Sequence, residues 1–463
     1  MSEIEKRTEV FEKMPVHKAV IKQLLPSIAS QMVALIYNLA DTYFVGKLND
    51  PNQTAAIAVT ASSFLMLTAI SNLFGVGGAS MVAQALGKHD GERAKQISCI
   101  SFYGGLISSL IFATAFYFFA EPILKLCGAS GGAIDYALGY AKWTVVYGAS
   151  GTILNILLAN LVRAEGSAAA ASIGVSTGGI MNIILDPLLV LPEFAGLGAV
   201  GAGVATAISN FIAAMVFMAY IIINRKHSFI KLNPKLLKGG FESLKRVLAI
   251  GFPSALQYAL TVVAVAAQSR FVSGYDNCAV AALGIVKKLD QLPLYFSIGT
   301  ANGLLPMLAY NYAANNYKRQ RQAFRFGCMI SLGMAVLCLI AYELFAPTLV
   351  GLFIKDALTR RYGAAFLRCM VIAMPMMSVC YPMIIQFQAM GKVRESLVCS
   401  ILRKGVLDIP LLFVMNAVWP LYGCMLVQPI VDTVSLITAI CFYKRINAQL
   451  KLDERIQLNA LNL

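Results

Sequence analysis

Long apolar runs, each closed by a short polar break, follow one another from residue 18 to residue 443. A helix needs about 20 apolar residues to cross the hydrocarbon core of a bilayer. The pattern predicts spans over 18–45, 54–84, 95–119, 134–160, 168–191, 198–223, 245–272, 279–311, 323–347, 364–389, 398–418 and 423–443. No run of about ten residues alternates between apolar and polar as the strands of a transmembrane barrel do. The expected class is an all-α integral membrane protein with twelve spanning helices.

The breaks differ in charge. Lys and Arg gather in "GKHDGERAKQ" after the second run, "NRKHSFIKLNPKLLKGGFESLKR" after the sixth, "NNYKRQRQAFR" after the eighth, and "GKVRES" with "RK" after the tenth. By the positive-inside rule these connections and both termini face the cytoplasm, while "KLNDPNQ" and "NAVWPLYG" face out. One expected outer loop, "IKDALTRR" at 354–361, breaks the pattern. The charged N-terminus carries no clear small-residue cleavage site after a short apolar core, so it reads as an interfacial lead-in helix and not as a removed signal peptide. The expected division is an interfacial segment at 1–17, a first lobe at 18–223, a basic linker at 224–244, a second lobe at 245–446 and a cytoplasmic tail at 447–463.

Composition agrees with this reading. The chain is 58% hydrophobic and 13% charged, with a mean hydropathy of +0.69, against roughly half and one quarter in soluble domains. A net charge of +15 would point to nucleic acid in a soluble protein; here the basic side of the membrane accounts for it, and no nucleic-acid partner is expected. The ten cysteines form no CxxC pair and read as small buried side chains. His17, His89 and His227 all fall near the cytoplasmic side, and no paired-His metal motif, nucleophile elbow or phosphate-cradling loop is present. An enzyme is not expected.

The two halves echo each other. "LPSIASQMVALIYNLADTYFV" (25–45) aligns with "FPSALQYALTVVAVAAQSRFV" (252–272) at a shift of 227, and "GVGGASMVAQALGKHDGERAKQ" (75–96) with "GTANGLLPMLAYNYAANNYKRQ" (299–320) at 224. "FAEPILKL" pairs with "FAPTLVGL", and "RAEG" with "QAMG", in the same order. Six spans per half make this a parallel repeat, two six-helix lobes related by a pseudo-two-fold axis along the membrane normal. Two such bundles side by side leave a cavity between them, the geometry of an alternating-access transporter.

Ionisable groups inside spans cost a few kcal/mol at the bilayer centre and so mark functional sites. Asp41, in "LIYNLADTYFVG", lies five residues from Gly46, about 8 Å along a helix, in the outer half of the first span. Tyr37 and Asn38 share its face. Asp186, in "MNIILDPLLVLPE", is expected at similar depth, with Asn182 one turn deeper and Pro187 removing a backbone donor. Two acids in a poorly solvated pocket repel each other, and one can take up a proton near neutral pH; the same oxygens suit Na⁺. The repeat puts Gln268 opposite Asp41 and Leu412 opposite Asp186, so the second half lacks these charges at equivalent places. It carries Lys287, Lys288, Asp290 and Gln291 in its own outer half, where Lys288 and Asp290 either line the cavity or, for the lysine, reach the headgroups. Asp408, aligned with Asn182, is expected to pair with Arg403 or Lys404.

At these residues the chain resembles the multidrug and toxic compound extrusion (MATE) family. "ADTYFVGKL" is similar to that family's first-helix signature, "GVGGASMVAQALGKHDGERAKQ" to its second helix and loop, "LANLVRAEGSAAAA" with "MNIILDPLL" and "GLGAVGAGVATA" to helices four to six, and "GLLPMLAYNYAANNYKR" to helix eight. The resemblance spans nearly the whole chain. It implies export of organic cations or other amphiphiles driven by H⁺ or Na⁺, with an ion site at Asp41, Asp186 and Asn182 and supporting roles for Tyr37, Asn160, Thr206 and Tyr140. Spans seven and ten lack the carboxylates of one Na⁺-coupled branch, with Gln268 and Gln386 or Gln388 nearest, which favours coupling in the first lobe. No cofactor beyond the coupling ion is expected. The anticipated partners are amphiphilic small molecules and the bilayer, the state a monomer, and the location the plasma membrane. A lipid-linked oligosaccharide flippase of related architecture is the alternative, kept open by Lys287, Lys288 and Arg270.

Overall fold

The structure, a computed structural model, describes residues 9–129 and 131–461. Residues 1–8 of the expected N-terminal segment and the last two of the expected tail lie outside the described residues. Six elements build the first lobe: α1 (Val16–Gly46), α2 (Pro51–Gly87), α3 (Gly91–Leu126), α4 (Ala133–Ala141, a π-helical turn Lys142–Tyr147, then Ala149–Ala164), α5 (Ala168–Val190) and α6 (Gly198–Ile223). The second lobe repeats them as α7 (Phe241–Ser273), α8 (Asn277–Ala313), α9 (Tyr317–Gly351), α10 (Ala357–Val371 and Met374–Ala389), α11 (Val393–Arg403 and Asp408–Val418) and α12 (Gly423–Leu461). Eight of these are long and apolar enough to cross a bilayer singly, and α4 and α10 do so as pairs bent by 50° and 45°. That makes up to ten candidate spans among the described residues, and α8 and the broken α11 complete six helical elements per lobe.

Capping residues set where several of these helices begin. Asp50 accepts from Asn52 N ahead of Pro51, and Asp276 accepts from Cys278 N at the corresponding start of α8. Asp90 and Asn316 do the same for α3 and α9, accepting from Arg93 N and Arg319 N. The repeat is thus visible in its caps. In α4 the Gly148 N to Trp143 O bond, 2.7 Å long, skips one residue more than an α-helix does, and the bend follows from it. Pro187 does not end α5: the helix runs on to Val190, since a proline costs only its own donor and clashes one turn back.

Two expectations change, and one contact adds to them. The stretch 354–361 is a loop only as far as Asp356, which accepts from Thr359 N and Oγ1 and starts the first part of α10, so that Arg360 and Arg361 sit on a helix. The lead-in segment does not lie free at the interface either. Phe11 is fully buried, and Arg319 of the second lobe donates to the carbonyls of Phe11 (2.5 Å), Val10 (3.3 Å) and Met14 (2.5 Å). Finally, the linker before α7 is tied down on the first lobe, where Ser98 and Tyr103 of α3 donate to Phe229 O and Leu232 O. Each lobe's leading segment therefore grips the other lobe.

The core shows how the lobes meet. Near the termini one apolar cluster runs across both, from Phe11 and Leu24 through Leu86 and Leu161 to Leu308, Phe387 and Leu450. Towards the far side it divides into a second-lobe cluster around Val286, Phe366 and Val431 and two first-lobe clusters around Leu67 and Val190. On the sealed side α2 and α7 cross at glycines: a Cβ on Gly77 would lie 2.1 Å from Val247 O, and one on Gly251 1.8 Å from Leu73 O. On the far side the facing stretches 31–40 of α1 and 287–296 of α8 are mostly half-buried, as expected of walls lining a cleft.

Candidate functional site

Asp41 occupies the cleft-side half of α1, a turn from Tyr37 and Asn38. Gly179 allows α5 to approach: a Cβ there would stand 2.6 Å from Val33 Cγ1 and 3.2 Å from Tyr37 Cδ1. That close crossing sets Asp41 and Asp186 near enough for their charges to act on each other. Asp186 is fully buried and Asp41 is 9% exposed. From α4, Tyr140 Oη donates to Asp41 Oδ2 over 3.4 Å. Asn182 Nδ2 donates to Asp186 Oδ1 (3.3 Å) and to Thr206 Oγ1 of α6 (3.4 Å). Asp41 Oδ1, Asp186 Oδ2 and Asn182 Oδ1 remain buried without a hydrogen-bond partner, and neither acid forms an ion pair among the described residues.

Four helices, α1, α4, α5 and α6, thus close into one oxygen-rich cluster of Asp41, Tyr140, Asn182, Asp186 and Thr206. Hard oxygen donors without a resident cation can take up a proton or share Na⁺ among them. Tyr37 packs beside the cluster, and Asn38 Nδ2 reaches across the cleft to Tyr295 Oη of α8 (3.2 Å). Asn160 is not brought in. It lies near the sealed end of α4, where its Oδ1 accepts from Arg163 Nη1 (2.9 Å) and its amide fills the space beside Gly75.

In the second lobe Gln268 does not stand free as a counterpart of Asp41; its amide donates to Cys424 O (3.0 Å) and ties α7 to α12. Lys287 Nζ donates to Ser269 Oγ (3.4 Å), while Lys288 and Asp290, both half-buried, make no hydrogen bond or ion pair among the described residues. Asp408 does not pair with Arg403 or Lys404. Its Oδ2 accepts from Gly405 N (2.9 Å), because α11 breaks at Lys404–Leu407 and turns that amide inward. Arg403 pairs instead with Asp432 of α12, Nε to Oδ1 2.9 Å, both side chains almost completely buried. Its guanidinium also lies 3.9 Å over the Tyr381 ring. Asp432 went unnoticed in the sequence, although an acid inside "QPIVDTVS" of the last span is the very signal used for Asp41.

The sequence profile of the MatE family matches residues 26–188 and again 253–414, one match per lobe. The chain belongs to the MatE family. Its relatives include the multidrug export protein MepA of Staphylococcus saprophyticus, 29% identical over 444 residues covering 96% of this chain and 97% of MepA. MepA of Staphylococcus aureus strain MRSA252 is 31% identical over the same shares of both chains. Among solved structures, an outward-facing multidrug resistance MATE family transporter of the MOP superfamily superposes with a TM-score of 0.89 at 23% identity, covering 96% of this chain and 99% of that one. A MATE crystal structure in the straight conformation gives 0.88 at 22% identity, covering 97% and 99%. At these identities the structures establish the two-lobe MatE fold. The double profile match also fixes the internal repeat read from the "PS" and "FV" positions.

Proposed function

We propose that this MatE-family protein is a secondary active exporter of organic cations or other amphiphiles, exchanging them for H⁺ or Na⁺ by alternating access in the plasma membrane. The observation that carries this reading is the buried pair Asp41 and Asp186, which has open oxygens and, among the described residues, no basic partner. A cation bound there discharges two like charges held in a low dielectric, and its departure re-creates them. An amphiphilic cation in the cleft and an ion at the acids then compete for the same negative charge.

The seal of α2 against α7 near the termini and the half-buried walls on the far side support one accessible state of such a cycle. With both termini cytoplasmic, as the Lys and Arg distribution favours, that state opens outward. The flippase alternative needs a surplus of positive charge for phosphate. Lys287, Arg403 and Lys404 have Asp290, Asp408 and Asp432 within electrostatic reach, which leaves Lys288 and Arg270 as the residues that keep it open.

The test is efflux of a cationic dye from vesicles under an imposed pH gradient and, separately, an imposed Na⁺ gradient. Wild type should respond to one of them. Asp41→Asn and Asp186→Asn should each lose that response by at least about tenfold, roughly 1.4 kcal/mol of coupling. Undiminished gradient-driven transport in both variants overturns the proposal.

A further inference from the structure

The break in α11 carries a second observation. The repeat sets Asp408 at the position of Asn182 and Asp432 at that of Thr206, both at a shift of 226; Asp432 of α12 lies within electrostatic reach of Asp408, as Thr206 of α6 meets Asn182. The second lobe thus holds carboxylates where the first lobe builds its oxygen cluster. The surroundings differ in one respect. Lys404, at the C-terminal end of the first half of α11, donates through Nζ to Gln428 Oε1; Gln428 Nε2 donates to Asp432 Oδ2 (2.9 Å), and Arg403 holds Asp432 Oδ1. Asp290 and Lys287 of α8 lie within electrostatic reach of the same group. Within this linked group Asp290, Asp408 and Asp432 are matched in number by Lys287, Arg403 and Lys404, whereas among the described residues no base acts on Asp41 or Asp186.

We propose that Lys404 is a tethered cation: its ammonium permanently supplies, in the second lobe, the charge that a mobile coupling ion supplies in the first. It is thereby the residue that confines ion coupling to one lobe. This rests on the first-lobe coupling reading for its meaning in transport. Geometry favours Lys404 over its neighbour in that role. Arg403 is locked into Asp432 and is 1% exposed, while Lys404 is half-buried at a helix break, where Gly405 has a φ of +157° and turns its N–H to Asp408 Oδ2. Unwound segments between half-helices are where membrane transporters place their ions. Removing the ammonium leaves one uncompensated negative charge inside the membrane, and the lowest-cost remedy is to bind a proton or Na⁺.

The experiment counts cations. Purified full-length protein in nanodiscs is titrated for proton uptake by pH-stat and for Na⁺ by equilibrium dialysis, as wild type, Lys404→Gln and Lys404→Arg. Reconstituted into vesicles, the same proteins give the ion-to-dye ratio at static head. Lys404→Gln should take up one more cation per chain than wild type and raise the ratio by one; Lys404→Arg should match wild type in both. Lys404→Gln with Asp408→Asn, neutral again and with the Arg403–Asp432 pair left intact, should return to the wild-type count. An unchanged count in Lys404→Gln overturns the proposal. Should Lys404→Gln fail to assemble, the paired variant decides: recovery of assembly with the wild-type count supports it, and failure of the pair to recover overturns it. The uptake count needs no transport, so a loss of the first-lobe reading, seen as intact coupling in Asp41→Asn, is scored separately.

Discussion

In the first lobe two carboxylates, on α1 and α5, lie buried with no ion pair among the described residues; in the second, on α11 and α12, Asp408 and Asp432 lie near Arg403 and Lys404. The shared backbone plan therefore does not dictate how charge is held. One lobe keeps a group that stays costly until something arrives to neutralise it. Its twin neutralises itself with side chains, and gains a stable wall that asks nothing of the solvent. The contrast also explains why acids alone were a poor guide: an acid with a built-in partner and one without look identical in a sequence window.

Breaking the self-neutralised side should have the largest effect on stability. Arg403→Met strands Asp432, and a buried charge left without its partner costs about 3–5 kcal/mol. Thermal unfolding of the purified protein should show it, and Arg403→Met combined with Asp432→Leu should recover most of the loss. Next comes the shared floor beneath both lobes. Gly251→Val forces α7 away from Leu73 O, at a cost of about 1–3 kcal/mol, and should increase labelling of cysteines introduced along 71–87 from the termini side. The first lobe should respond with the opposite sign: Asp41→Asn removes a buried repulsion and should raise apparent stability by up to about 1 kcal/mol even as coupling is lost. A fall comparable to that of Arg403→Met would erase the contrast between the lobes. The smallest effect belongs to Tyr140→Phe. A 3.4 Å bond is long, so its loss should cost about 0.5–1 kcal/mol and leave the pH- or Na⁺-gradient response in place at reduced rate.

Much of this was legible beforehand because the governing signals are local. Apolar run length marks each span, and 198–223 coincides with α6 to the residue. Pro26, Pro253 and the "FV" pairs reveal the repeat, and Asp41, Asn182 and Asp186 stand out because ionisable and amide groups are rare in spans. Tyr140 and Thr206, by contrast, join the cluster through tertiary crossings 99 and 24 residues long, and only family likeness pointed to them. Asn160 shows the limit of that guide, since its amide is committed to Arg163. The break in α11 depends on a glycine with positive φ that any membrane helix tolerates, and the Arg403 to Asp432 pairing spans 29 positions with no local trace. The grip of Arg319 on residues 10–14 spans some 305 to 309 positions and is equally silent.

That grip has a counterpart in the linker held by Ser98 and Tyr103, and the two together interlock the bundles like crossed arms. Neither bundle can tilt away at the terminal end while the other stays home, because each is leashed by the stretch of chain that introduces its neighbour. Fusing a bulky tag upstream of Val10, or lengthening the linker near Phe229, would loosen one leash and leave the other taut.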